Sequence, residues 1–147
     1  MILAVDPGKT TGLSWWTDDY EHRGMEQVPL EDIPTKWFEL SDTYGPIKLA
    51  IVEEFVLFGK RAVQQTGSRM EASQGVGMIK ALASANGCEV VIQPSSIKTV
   101  ALKWSGIKMP SNHKDTHEYD AYLHGYYYFV KEGKIKTALQ RSKNASP

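Results

Sequence analysis

Three stretches of this chain place groups that bind cations or move protons at the ends of otherwise apolar segments. Asp6 closes the run MILAV, Glu53 and Glu54 close KLAIV, and HEYDAYLH carries His117, Asp120 and His124. A carboxylate leaving a hydrophobic strand is costly to desolvate, and a metal ion is among the few partners strong enough to offset that cost. Asp6 taken alone reads equally as the residue that starts a turn. The later carboxylates are what give it a possible second role. Neighbouring strand residues point to opposite faces, so only one of Glu53 and Glu54 can share the face of Asp6, and periodicity does not choose between them. His117, Asp120 and His124 are three and four residues apart, which on a helix is one stripe that must face water or a site. His124 lies a turn deeper than the other two and is read as core or interface.

The elements that must position these groups follow from pattern. Residues 1–5 read as a buried strand, Pro7 and Gly8 as a turn, residues 13–16 as the returning strand, and residues 22–28 as a third strand reached through Asp18 and Asp19. Together they predict an antiparallel meander. Residues 30–44 carry Ile33, Trp37, Phe38 and Leu40 near helical period, with Pro34 tolerated in the first turn and Gly45-Pro46 as the stop. The next strand, residues 48–52, follows a helical crossover and is expected parallel to the first and beside it. Residues 55–66 read as a basic loop, 68–86 as a helix, 89–92 as the last strand, 96–103 as a short helix, and 115–131 as the final helix. The expected architecture is α/β, a mixed five-stranded sheet of antiparallel meander plus parallel strands, flanked by helices. Residues 1–132 are expected to form one domain, and residues 133–147 a basic, frayed and flexible tail. Trp15, Trp16 and Trp37 are read as core.

Composition sets bounds. At 147 residues, 41% hydrophobic and 23% charged, the chain suits one folded domain. No apolar run approaches bilayer length and no basic-flanked leader is present, so a cytoplasmic protein without a membrane partner is expected. The single Cys88 excludes an intramolecular disulfide and a thiolate zinc site. Net charge is zero but uneven: residues 1–57 hold 11 acidic and 4 basic side chains, and residues 58–147 hold 6 acidic and 13 basic. Such poles suit a protein that handles phosphates through metal ions, although ordinary solvated faces would look the same.

The segments ILAVDPGKTTG, IVEEF, EASQGVG, PSSIK and HEYDA, in this order and spacing, resemble the RuvC-type Holliday junction resolvases of the RNase H-like nuclease superfamily. The resemblance runs to about residue 130. It implies that Asp6 bridges two metals, that Glu53 rather than Glu54 is a ligand, and that His117 and Asp120 complete the set. Two Mg²⁺ or Mn²⁺ ions, about 3.5–4 Å apart, would then activate water and stabilise the leaving oxygen. In this reading Glu53 holds the leaving-group metal and Asp120 the nucleophile-side metal, with His117 binding the latter or orienting water. The implied activity is resolution of four-way junctions by paired nicks leaving 5′-phosphate and 3′-hydroxyl ends, by a homodimer on branched DNA. Lys98 matches a family lysine near the DNA backbone. Lys60, Arg61, Arg69 and Lys114 are further candidate phosphate contacts, and Phe58 a candidate wedge between bases. The stretch between Lys98 and His117 is shorter than in bacterial RuvC, a reduction that resembles small phage relatives.

Alternatives stand beside this reading. The DPGKTTG turn also resembles the phosphate loop of actin-like and sugar-kinase proteins, which need two such domains around a nucleotide. A non-catalytic DNA-binding member of the fold would have no reason to gather carboxylates where phosphates approach. A broader branched-DNA, flap or RNA–DNA hybrid nuclease would share the same residues.

Overall fold

β1 (Ile2–Asp6) leads through the Pro7-Gly8 turn into β2 (Thr10–Trp16), and β3 (His22–Pro29) completes an antiparallel meander. The buried Thr11 hydroxyl donates to the Gly8 carbonyl (3.0 Å), and the Leu30 amide donates to the Lys9 carbonyl (3.1 Å), so both sides of the first turn are tied down. A single helical turn at Leu30–Asp32 opens into α1 (Ile33–Tyr44), with Pro34 in its first turn. Then β4 (Leu49–Glu53) returns parallel to β1. α2 (Ser68–Ala85) precedes β5 (Glu89–Gln93), which is parallel to β4. α3 (Ile97–Ser105), α4 (His117–Lys131) and α5 (Ala138–Asn144) follow. This computed structural model describes residues 1–56, 68–111 and 116–144, without the side chains of Ser68 and Arg69. Among the described residues the strands form one mixed sheet in the order β3-β2-β1-β4-β5.

Strand alternation divides the core into two layers. Leu3, Val5, Leu13, Trp15, Ala50 and Val52 point to one face, where Ile33, Trp37 and Leu40 of α1 and Ile79 and Ala83 of α2 cover them. Ile2, Ala4, Trp16 and Ile51 point to the other face, against Phe129 of α4. α3 packs Ile97 and Ala101 against Leu123 of α4, a third apolar cluster beside this layer. Trp15, Trp16 and Trp37 are core, as their size and setting predict.

α4 sits close to β2 because glycine stands on each side of the contact. A Cβ on Gly12 would lie 1.9 Å from the His117 carbonyl oxygen, and one on Gly125 would lie 2.3 Å from the Trp16 ring. The first of these is a backbone obstacle that no side-chain rotation relieves.

Within the C-terminal segment residues 138–144 form α5, and the Tyr126 hydroxyl reaches this part of the chain. That hydroxyl lies 3.2 Å from both the Trp104 and the Lys136 carbonyl oxygens and accepts from Arg141 (3.4 Å). None of the α5 side chains is buried, and the buried Tyr126 is one of the residues that tie α5 to the domain. No helix of the described residues is long and apolar enough to cross a membrane.

Candidate active site

Register brings the first two carboxylates together. Val5 pairs with Val52, so one step further along these parallel strands sets Glu53 beside Asp6 on the same face. Glu54 therefore points the opposite way and is exposed. Register alone thus makes the choice that periodicity left open. The same row continues sideways: Asp6 pairs with Gly12, and Glu53 pairs with Gln93. In this row the sheet turns from apolar to polar, at the ends of β1, β4 and β5.

α4 lies across that row and supplies its stripe. His117 Nδ1–H donates to Asp6 Oδ2 (2.8 Å), and Asp120 Oδ2 accepts from Lys98 Nζ (3.2 Å). One turn on, His124 Nε2 bonds Glu53 Oε2 (2.9 Å), and its Nδ1 lies 3.1 Å from Gln93 Oε1. Lys98, from the first turn of α3, also reaches Glu53 Oε2 (2.9 Å) and so bridges Glu53 and Asp120. Two bonded groups thus stand side by side, His117 with Asp6 and Lys98 with Glu53 and Asp120. The Lys98 ammonium, for which the resemblance implies a DNA-backbone contact, contacts acidic side chains in this structure.

The electrostatics follow from burial and neighbours. Burial pushes the Asp6 carboxyl above its ordinary range and the nearby Glu53 charge adds to this, while the His117 hydrogen bond pulls the other way. The bond to Asp6 raises the His117 imidazole against the opposing effect of its own burial. Burial would also raise Glu53, but the His124 hydrogen bond and the Lys98 ammonium outweigh it and hold Glu53 at about 2. Lys98 is raised: its burial favours the neutral amine, and the charges of Asp6, Glu53 and Asp120 outweigh that.

Asp6, Glu53 and Asp120 offer hard oxygen donors and His117 a nitrogen, a donor set that suits Mg²⁺ or Mn²⁺. Glu53 and Asp120 already converge on one cationic group, the Lys98 ammonium, so a cation between them is compatible with their placement. Among the described residues no three His, Cys, Asp or Glu side chains stand close enough to enclose an ion without rearrangement. The donor types fit a divalent cation, and the present spacing suits the lysine.

Gln93 is the residue that pattern reading passed over, although it ends its strand on the same row as Asp6 and Glu53. His124, read as core or interface, is indeed fully buried, yet its ring bonds a site carboxylate. Its place on the stripe with His117 and Asp120 was the available signal. The predicted contacts Phe58, Lys60, Arg61 and Lys114 lie outside the described residues, as does the Arg69 side chain.

No family model matches the sequence, and no curated protein sequence matches it. By structure the chain is similar to Thermus thermophilus RuvC in complex with a Holliday junction substrate, with a TM-score of 0.62 and 15% identity over 92% of this chain and 98% of that one. A second Thermus thermophilus RuvC structure is similar over the same shares, with a TM-score of 0.59 and 15% identity. The fold is therefore RuvC-like, of the RNase H-like type.

Proposed function

We propose that this protein is a metal-dependent endonuclease for branched DNA that resolves four-way junctions by paired nicks leaving 5′-phosphate and 3′-hydroxyl ends. The observation that carries the reading is the side-by-side placement of Asp6 and Glu53 at the ends of two parallel strands, with His117 bonded to Asp6 and Lys98 bridging Glu53 to Asp120. It stands on a fold similar to that of a protein solved with a Holliday junction substrate.

Asp6, Glu53, Asp120 and His117 would hold the Mg²⁺ or Mn²⁺ ions, whose chemistry is to make water nucleophilic at neutral pH and offset charge on the leaving oxygen. The chain's own contribution is placement. Asp6, the most enclosed of the carboxylates, sits at the centre of the row, and His117, 42% exposed, stands at its open side where it can orient water. Lys98 joins the carboxylates to the α3 side of the site and is the nearest described cation for a phosphate oxygen. A junction has two equivalent strands to cut, so a symmetric homodimer is the matching assembly.

The test is incubation with four-way junction, 5′-flap, RNA–DNA hybrid and plain duplex substrates in Mg²⁺, Mn²⁺ or EDTA, with Asp6→Asn alongside. Paired, ligatable nicks on the junction that need metal and Asp6 are the expected result. Equal cutting of flaps would widen the substrate class to branched DNA in general. Junction binding with no cleavage of any substrate would overturn the catalytic reading and leave a DNA-binding protein.

A further inference from the structure

His124 and Gln93 are buried polar side chains whose bonds run to one another and into the site. The His124 side chain has no exposed surface and Gln93 is 5% exposed. They come from different elements, the middle of α4 and the last residue of β5. Burying an imidazole and an amide is unfavourable unless their polar atoms are paired, and an apolar pair of similar volume would fill the space without that requirement. Here each ring nitrogen has a partner, Gln93 on one side and Glu53 on the other. With Nε2–H on the carboxylate, a neutral ring has Nδ1 as an acceptor, which the Gln93 amide satisfies when its NH₂ end rather than Oε1 faces the ring.

From this geometry we infer that His124, pinned by Gln93, is a positioning residue that fixes the direction of the Glu53 carboxylate. The inference rests on the nuclease reading above and concerns how one of its proposed ligands is held. Glu53 has a long, flexible side chain for a site that needs fixed donors, and a free glutamate loses considerable rotamer entropy when ordered. His124 meets it from inside the protein and Lys98 from the α3 side, both at Oε2, so neither contact requires the second oxygen. Carboxylate ligands held by such outer partners bind metal better than unsupported ones.

The experiment measures Mn²⁺ binding to the full chain by calorimetry, together with kcat and KM on the four-way junction and junction affinity in EDTA. His124→Phe keeps an aromatic ring in the buried position and removes the donor. It is expected to lower Mn²⁺ affinity and kcat by about 10–100-fold, with KM and EDTA junction affinity unchanged. His124→Gln, whose amide can present N–H to Glu53, is expected to recover most of the loss. A folded His124→Phe with wild-type Mn²⁺ affinity overturns the inference and leaves the nuclease reading standing. Should His124→Phe fail to fold, Gln93→Leu carries the test: reduced Mn²⁺ affinity supports the inference and wild-type affinity overturns it. Wild-type protein that neither binds Mn²⁺ nor cleaves overturns the nuclease reading itself, and this inference with it.

Discussion

The two faces of the sheet are made by alternate residues of the same strands, yet they serve different ends. On the α1–α2 face, Leu3 and Val5 of β1 meet Ala50 and Val52 of β4, and the rows are apolar across these two central strands, with Glu26 of β3 paired to Lys36 at the edge. On the α4 face the rows change along the strands, from Ile2 with Trp16, through Ala4 with Ser14 and Ile51, to Asp6 with Gly12, Glu53 and Gln93. The central strands of one face stay apolar; the other face grades from core into a charged site over three rows. The α1–α2 face can anchor the strands, so the α4 face can hold carboxylates whose desolvation costs stability.

Exchanging what is lost on each face would test that division, and the largest contrast is Asp6→Asn against Leu3→Ala. Asp6→Asn is expected to reduce junction cleavage by about 10³-fold, several kcal/mol of lost charge stabilisation. Its thermal midpoint should be equal to or above wild type, because burial already holds the Asp6 acid above its ordinary range. Leu3→Ala should show the reverse, a loss of about 2–5 kcal/mol in denaturant unfolding with kcat per folded molecule unchanged. A large stability loss in Asp6→Asn, or a large kcat loss in folded Leu3→Ala, would break the division.

Gly12→Ala probes the boundary between the faces. Its new methyl would meet the His117 backbone, so α4 must shift at the end that carries His117 and Asp120. The expected stability cost is about 1–3 kcal/mol, accompanied by a loss of cleavage out of proportion to it. Chemical denaturation and single-turnover cleavage would measure the two separately.

The last contrast, which leaves cleavage aside, is a pH dependence from Glu53. Its folded-state acidity lies near 2 against an ordinary value of 4.5. A lowered carboxyl contributes stability that is present above 4.5 and is lost as pH falls towards 2. Glu53→Gln should therefore be less stable than wild type at neutral pH, with the difference shrinking through that acid window. A difference that stays constant would mean that Lys98 and His124 do not hold the carboxylate as the structure indicates. Urea unfolding at stepped pH in EDTA reads it directly.

Much of the fold was legible in short-range pattern. The apolar runs ending at Asp6 and Glu53, the helix between them and the breaks at Pro7-Gly8 and Gly45-Pro46 lead to the meander, the crossover and a parallel β1–β4 pair, because alternation and crossover geometry are local rules. The spacing of His117, Asp120 and His124 likewise placed all three on one stripe. What the sequence could not show was depth and distance. Tyr126 reaches carbonyls in two other segments and the Arg141 side chain of α5, contacts that leave no periodic trace.

By itself, then, the sequence determined which residues close the strands and which share the α4 stripe, since both follow from repeats of two and 3.6 residues. Tertiary structure alone decided that His124 faces Glu53, that Gln93 completes the contact, and that Lys98 stands between Glu53 and Asp120. Those contacts join residues 22 to 71 positions apart. They exist only because strand register and the glycine-permitted approach of α4 bring four separate elements to one point.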